Sequence, residues 1–501
     1  VIHVEGYAIW LEGNLPKGVE VALEKIVVMA AVISAVISLT QITYASGDEK
    51  ETDQAVIGSY EINQRDLGVG VYLANVFEKD GNLKIFLETG DVDFPLEPVD
   101  KKKHEYKIPT KSMGDLPVKF TVDESGIAQE LHLMGGTPGL DFTGTRVDDP
   151  ILKLRDFHTG TGDGYVYRKP LEIPGDWETG TLEEAGIDTA GMNAFMRKVL
   201  EEHPYMESIL IVRNGKLVFE EYLNGWDPAR IHRLQSVTKG FTSTLVGIAI
   251  EQGFIGSLDD PIRDYLPDYS EFFGGKKDSV TVRHLLTMSA GFKWNETETY
   301  YADPKKCDPH LAEASEDYFK YLLERPIVEE PGTVYRYNSG YPNILGHIIE
   351  ERSGMKIVEF AYRNVFEPLG IKRAFWMFIR GENKPSCAGG LKLMSRDLAR
   401  YGYLYLKEGA WEGKQEVPAE WVKESLRDYF VTDGNVGRGF WWGKVKSLDG
   451  EHDIFFASGT GGQYVIVIPD LDTVIVTTAV FRTAKGDAVA MLLLESLFPA
   501  L

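Results

Sequence analysis

The sequence predicts an α+β protein: an antiparallel sheet flanked by helices, with a helical lobe inserted between its first and last strands, preceded by a small all-β domain. Three observations lead there. Strand-like alternation with no helical period fills residues 55–134. Two strong hairpin patterns then lie far apart, one at residues 208–219 and one at 463–478. The stretch between those hairpins is largely helical. Strands at both ends of a region with helices between them imply one sheet that the two ends complete together.

The elements follow in order. Residues 1–47 read as a leader. Within it residues 26–39 (IVVMAAVISAVISL) form an apolar run after Lys25, with small residues at Ala45-Ser46-Gly47. A secretory or anchoring segment over residues 26–45 is one reading, and it places the protein outside the cytoplasm, periplasmic or secreted. An ordinary buried helix is the other, because the run is short for a membrane span of about 20 residues. Residues 48–135 form the β-domain: Tyr60-Glu61-Ile62, Val71-Tyr72-Leu73 and Leu83-Lys84-Ile85-Phe86-Leu87 are strands, with Asp80-Gly81 as a turn. A second pair, Val118 to Val122 and Gln129 to Leu133, surrounds Glu124-Ser125-Gly126. Residues 136–178, rich in Gly, Thr, Pro and Asp, read as a linker. Residues 179–501 form the larger domain, opening with an amphipathic helix near 190–201. The hairpin that follows turns at Asn214-Gly215; the last one turns at Pro469-Asp470, before a closing helix near 487–497.

Composition narrows the function classes. The chain has 501 residues and a formal charge of −23, from 76 acidic and 53 basic side chains. That balance opposes a nucleic-acid partner, which requires a basic face; Lys101-Lys102-Lys103 is a solvated hairpin tip. Two cysteines, Cys307 and Cys387, read as two free or buried thiols rather than a pair, and no metal-type spacing of Cys or His occurs. No metal and no cofactor are therefore expected.

Three segments carry chemistry. Ser236-Val237-Thr238-Lys239 precedes an apolar helical run that stops at Gly253, so Ser236 falls at a helix N-terminus. Lys239, three residues on, shares its face and can take the serine proton once burial lowers its pKa. A second Ser-x-x-Lys, Ser353-Gly354-Met355-Lys356, follows a helix instead, and its Ser sits at the wrong end for an oxyanion. Tyr337, in the turn-rich run Pro331 to Tyr341, is the second candidate: a phenol beside an ammonium has a lowered pKa and acts as base, then acid. Gly459-Thr460-Gly461 is the third, entering a strand with backbone N–H groups to offer; a plain Gly-rich turn is the competing reading. Gly439-Phe440-Trp441-Trp442 is read equally well as acyl-pocket lining, with Trp441 as the candidate, or as core. His284 lies in a structural helix and has no role in a Ser/Lys/Tyr scheme. No Gly-x-Ser-x-Gly elbow occurs, which disfavours an α/β-hydrolase.

The surroundings match a known pattern as well: Leu234-Gln235-Ser236-Val237-Thr238-Lys239-Gly240-Phe241, Ser257-Leu258-Asp259-Asp260-Pro261, Arg283-His284-Leu285-Leu286-Thr287-Met288-Ser289-Ala290-Gly291, Ala388-Gly389-Gly390-Leu391 and Arg396-Asp397-Leu398-Ala399-Arg400-Tyr401-Gly402. On these residues the region from Asp176 to Leu501 resembles the β-lactamase-related serine hydrolases, which include class C β-lactamases and penicillin-binding proteins. The resemblance implies a β-lactamase/transpeptidase-like fold, with Ser236 as nucleophile and Lys239 and Tyr337 as its proton network. It also implies an oxyanion hole of Ser236 N–H with that of Gly459 or Thr460. The β-domain resembles the lipocalin-like domain often appended to such proteins. Two departures matter. The Tyr-x-Asn pattern is here Tyr337-Asn338-Ser339, which makes Ser339 the substrate-facing candidate, and Lys-Thr-Gly is here Gly459-Thr460-Gly461, with no cation. Both point away from strong β-lactamase activity and toward the branch of family VIII carboxylesterases and 6-aminohexanoate-dimer-type amide hydrolases. The expectation is a cofactor-free hydrolase of small esters or amides, a carboxylesterase first. A slow-turnover penicillin-binding-like acyl-binding protein, or a weak β-lactamase or amide hydrolase, is the alternative.

Overall fold

A computed structural model describes residues 2–4, 7–9, 54–89, 92–110, 114–134, 141–154, 165–296, 303–379, 384–480 and 486–501. The apolar run at 26–39 lies outside them, and no helix among the described residues is long and apolar enough to cross a membrane. The chain divides into two units. One comprises residues 1–65, 70–149 and 379–383; the other comprises 66–69, 150–378 and 384–501.

The first unit is built on consecutive antiparallel strands: β1 (Gly58–Gln64), β2 (Gly70–Lys79), β3 (Asn82–Leu87), β4 (Val92–Pro95), β5 (Glu97–Asp100), β6 (Glu105–Ile108), β7 (Leu116–Val122), β8 (Ala128–Met134) and β9 (Asp141–Val147). Each pairs with its neighbour in sequence, except that β4 and β5 are the two halves of one bent segment. β9 returns to pair with β1. An up-and-down meander whose last strand meets its first is a barrel, completed here through the bent β4–β5 segment that pairs with β3 at one half and with β6 at the other. Alternation fills its interior: Tyr106, Ile108, Val118, Phe120, Leu131 and Leu133 are buried. Phe120 packs against both Tyr60 and Tyr106 with ring centroids 5.5 Å apart. The closing strand β9 lies in the stretch read from sequence as linker. Its glycine explains the misreading: a Cβ at Gly144 would stand 3.0 Å from the Tyr60 Cβ, so a residue that signals a loop is there for close approach.

The second unit holds an eight-stranded antiparallel sheet. Its strands are β10 (Met206–Arg213), β11 (Lys216–Tyr222), β15 (Phe430–Thr432), β16 (Val436–Arg438), β17 (Gly443–Lys446), β18 (Asp453–Gly459), β19 (Gln463–Ile468) and β20 (Thr473–Ala479), in the order β11-β10-β20-β19-β18-β17-β16-β15. The expected joining of the two ends is the β10–β20 pair, with Ile211 opposite Ile475. Asn214 (φ 53°) and Gly215 (φ 78°) both take the left-handed conformation of a tight hairpin turn. A smaller antiparallel group contains β12 (Ile231–Arg233), β14 (Leu391–Met394) and β13 (Ala374–Trp376).

Helices cover both faces of the large sheet. On one, α1 (Thr189–Glu202) and α6 (Gly486–Leu492) bury Met192, Phe195, Met196 and Leu492 against Ile209, Ile466 and Ile475. On the other lies α5 (Ser395–Leu406), where Gly402 permits contact with β19 and β20: a Cβ there would be 2.5 Å from Val474. Arg396 on α5 is buried and chelates Glu220 of β11 (2.6 Å twice), while Asp176 bridges Arg396 (2.9 Å) and Arg400 (2.6 Å). The Arg396-to-Gly402 motif is thus the clamp between helix, sheet and the chain entering this unit. The helical lobe between the hairpins includes α2 (Thr238–Glu251), α3 (Val282–Leu286) and α4 (Gly340–Ser353). Cys307 and Cys387 are both buried.

Candidate active site

The nucleophile candidate stands where β12 turns into α2. Leu234 N–H still bonds Leu391 on β14 (2.9 Å), Gln235 takes φ 50°, and Ser236 opens the first helical turn. A left-handed non-glycine residue immediately before a serine is local strain that the surrounding contacts must hold. α2 begins at Thr238 and is buried on nearly every side. Lys239, 2% exposed, points one turn back: its Nζ donates to Ser236 Oγ (2.9 Å) and to the Ala388 carbonyl (2.8 Å). The Ala388-to-Leu391 motif runs alongside, with Leu391 N–H bonded to Thr238 Oγ1 (3.2 Å) and the Cys387 carbonyl accepting from Thr242 (2.9 Å).

Tyr337 approaches from the lobe, and its hydroxyl lies 2.8 Å from Ser236 Oγ. The chain carrying it is fastened to the Thr287-to-Gly291 motif: Gly332 N–H bonds Ser289 (2.8 Å), Arg336 N–H bonds Met288 (2.7 Å), and Asn338 N–H points at the Met288 sulfur (3.3 Å). Asn338 is buried and accepts from Gly340 N–H (2.7 Å) at the start of α4. Ser339 turns onto the buried Glu296, donating from its backbone N–H (2.8 Å) and its hydroxyl (2.5 Å), and Trp294 Nε1 donates to the same carboxylate (2.9 Å). Three of the predicted residues, Ser236, Lys239 and Tyr337, therefore form one continuous hydrogen-bonded chain, with Lys239 Nζ 4.9 Å from the Tyr337 ring centroid.

The electrostatics correct one expectation. Burial brings the Lys239 ammonium down to about 8, and the Glu296 charge acts in the opposite direction. The Tyr337 phenol is raised, not lowered: burial is the larger cause and Glu296 the next, outweighing the Ser236 and Ser339 hydroxyls, which act in the opposite direction. Desolvation disfavours a phenolate whatever cation stands nearby.

β18 ends against this turn. A Cβ at Gly459 would fall 2.4 Å from the Leu234 carbonyl and 3.0 Å from Gln235 Cβ, so only glycine fits there. Gly461 follows at φ 95°, and Gln463 pins the loop through Ala479 O (2.7 Å) and Thr460 O (3.3 Å). Thr460 is exposed in the turn. Trp441 is half-buried on a tight turn with φ 66°. Its neighbour Trp442 is the one that reaches the nucleophile helix: a Cβ at Gly240 would be 3.7 Å from the Trp442 indole nitrogen. His284 caps α3 reciprocally with Thr281, through His284 N–H (3.3 Å) and Nδ1 (3.2 Å). The second Ser-x-x-Lys ends α4, with Ser353 Oγ bonded back to Ile349 O (2.6 Å) and Gly354 at φ 69°. Glu296 is the residue the sequence reading passed over; Trp294-Asn295-Glu296 has no spacing that separates it from other surface-type acids. Among the described residues, Asp449, Glu451 and His452 lie within reach of one another on an exposed turn, with His452 already bonded to Asp470 (2.5 Å).

A family model described as Beta-lactamase matches residues 201–493. The chain is 26% identical to the 6-aminohexanoate-dimer hydrolase of Paenarthrobacter ureafaciens over 298 residues, covering 55% of this chain and 72% of that protein. It is 25% identical to a D-aminopeptidase of Brucella anthropi over 199 residues, 38% of this chain and only 36% of that one. Among solved structures, the octameric penicillin-binding protein homologue from Pyrococcus abyssi aligns with a TM-score of 0.50 at 22% identity, over 62% of this chain and 77% of that one. EstCE1, a hydrolase with promiscuous acyltransferase activity, aligns with a TM-score of 0.50 at 15% identity, over 62% and 98%. These structures share the fold: antiparallel sheet, flanking helices and inserted helical lobe. The chain belongs to the β-lactamase family, whose β-lactamase-fold serine hydrolases include esterases, amidases and penicillin-binding-protein-like members.

Proposed function

We propose that this protein hydrolyses small esters or amides through an acyl intermediate on Ser236, with carboxylic esters as its preferred class. The observation that carries the reading is the hydrogen-bonded chain from the buried Lys239 through Ser236 to Tyr337 at the start of α2. Ser236 Oγ attacks the substrate carbonyl as its proton passes to neutral Lys239. The oxyanion forms against the Ser236 N–H at the helix N-terminus and the N–H of Gly459 or Thr460. The leaving group departs with a proton delivered through the Tyr337 hydroxyl. Water then attacks the acyl-enzyme by the reverse relay. Trp441 stands as the substrate-facing candidate; Ser339, expected from the sequence to face the substrate, is instead turned onto Glu296 by both its backbone N–H and its hydroxyl.

Esters are favoured over β-lactams by the fit at Gly459. That position corresponds to the lysine of Lys-Thr-Gly, and no side chain of any kind has room there beside Leu234 O. A carboxylate on the substrate would lack its cation.

Turnover of a short-chain aryl ester by wild type and by Ser236→Ala tests the reading. Activity that disappears in the variant supports it, and retained activity rejects it. A burst of one equivalent without steady turnover would favour a slow acyl-binding protein instead.

A further inference from the structure

Glu296 is the buried acid the scheme above leaves without a task. It is 7% exposed, it is sealed by the three donors from Trp294 and Ser339, and no cation lies within ion-pair distance among the described residues. A desolvated carboxylate without a salt-bridge partner is expensive to keep. Ser339 is two residues from Tyr337, so fastening it at both backbone and hydroxyl also fastens the turn that presents the phenol. The charged and titratable groups facing this cluster are Lys239 from α2, Tyr335 and Tyr337 from the turn itself, and Arg438 from β16, whose guanidinium lies 5.7 Å from the Tyr335 ring.

We infer that Glu296 is a positioning residue for the reaction at Ser236: clamped by Trp294 and Ser339, it holds Tyr337 against the serine and, by its charge, makes Lys239 the group that takes the serine proton while Tyr337 stays a neutral relay. The step balances within the chain. The Oγ–H bond breaks, its proton joins the Lys239 lone pair, and the Oγ pair forms the bond to the carbonyl carbon while the C=O π pair moves to oxygen. The raised phenol and the lowered ammonium agree with this division, since Glu296 pushes both values up and burial alone brings Lys239 within reach of neutral pH.

The inference rests on Ser236 being the nucleophile, so its test needs no natural substrate. The rate at which a fluorophosphonate labels the full chain is measured against pH, with the labelled residue identified by mass spectrometry. In wild type the rate should rise through a limb near pH 8 set by Lys239. Glu296→Gln keeps the size and the two bonds accepted from Trp294 and the Ser339 backbone, lets the amide NH2 donate to Ser339 Oγ where the carboxylate accepted from it, and removes the charge that supports the ammonium. Its limb should move to lower pH by about one unit, with the plateau rate down about tenfold to a hundredfold. Ser339→Ala keeps the charge and should slow labelling without moving the limb. An unmoved limb in Glu296→Gln overturns the inference, whatever happens to the rate. Tyr337→Phe supplies a test that does not depend on Glu296→Gln folding: a slower reaction with the limb in place supports Lys239 as acceptor, and loss of the limb refutes it. Failure of the wild type to label at Ser236 sinks the nucleophile assignment and this inference together, whereas a labelled wild type with unaltered variants sinks this inference alone.

Discussion

Ser236-Val237-Thr238-Lys239 and Ser353-Gly354-Met355-Lys356 spell the same pattern at opposite ends of two helices of the same unit. At the first, the serine precedes α2, the lysine folds back one turn onto it and onto Ala388 O, Tyr337 meets the serine from the other side, and Gly459 packs on the preceding Leu234 and Gln235. At the second, the serine closes α4 by bonding its own helix at Ile349, and Gly354 reverses the chain before Lys356. The three-residue spacing brings serine and lysine together only where the intervening residues are helical. Only the N-terminal end aims N–H groups at a developing negative charge. The chemistry therefore belongs to the helix end and its burial, and the spacing is merely compatible with it.

That comparison is most directly broken by exchanging the serines for alanine. Ser236→Ala should lower kcat/KM for an aryl ester by about four orders of magnitude or more, and Ser353→Ala should leave it within about twofold. The lysines come next. Lys239→Met should cut activity about a thousandfold while raising stability to urea by about 2 kcal/mol; Lys356→Met should change neither. The sign of the stability effect follows from the depressed value. The unfolded chain holds the Lys239 proton with an ordinary value of 10.5 and the folded chain with about 8. The destabilisation is therefore full below about pH 8 and fades as pH rises from there to 10.5. The glycines sharpen the contrast further. Gly459→Ala, with its methyl against Leu234 O, should displace the nucleophile turn and cost about a hundredfold in kcat. Gly354→Ala meets no neighbour and should cost about 1 kcal/mol of stability for its positive φ, with activity intact. The smallest effect is graded: if Lys239 is the acceptor, kcat/KM should fall about tenfold per unit as pH drops below about 8, levelling above it.

How much of this could be read from the chain depended on how local each signal was. Asn214-Gly215 dictates its turn through φ alone, and Ser236 with Lys239 are three residues apart, so both hairpin and dyad were legible. Tyr337 required a second segment about 100 residues on, and was found through its neighbours rather than its own type. The closing barrel strand was not legible, because Gly144 serves a packing contact with a strand some 80 residues earlier. The direction of the Tyr337 shift was misread for a related reason: a nearby lysine is visible in sequence, and the depth of burial is not. Glu296 carries no mark among 76 acidic residues until Ser339 is seen turned onto it.

The β10–β20 pair has a consequence for how the protein is made. β10 obtains its first partner, β11, within a few residues, but the edge that Ile211 offers to Ile475 stays open until the ribosome has added more than 250 further residues. Contacts of such long sequence separation slow the search for the native state and leave an apolar strand edge available to other chains meanwhile. Refolding from denaturant should accordingly be slow and concentration-sensitive, with yield lost to aggregation as protein concentration rises. A chain ended before Thr473 would keep that edge open permanently.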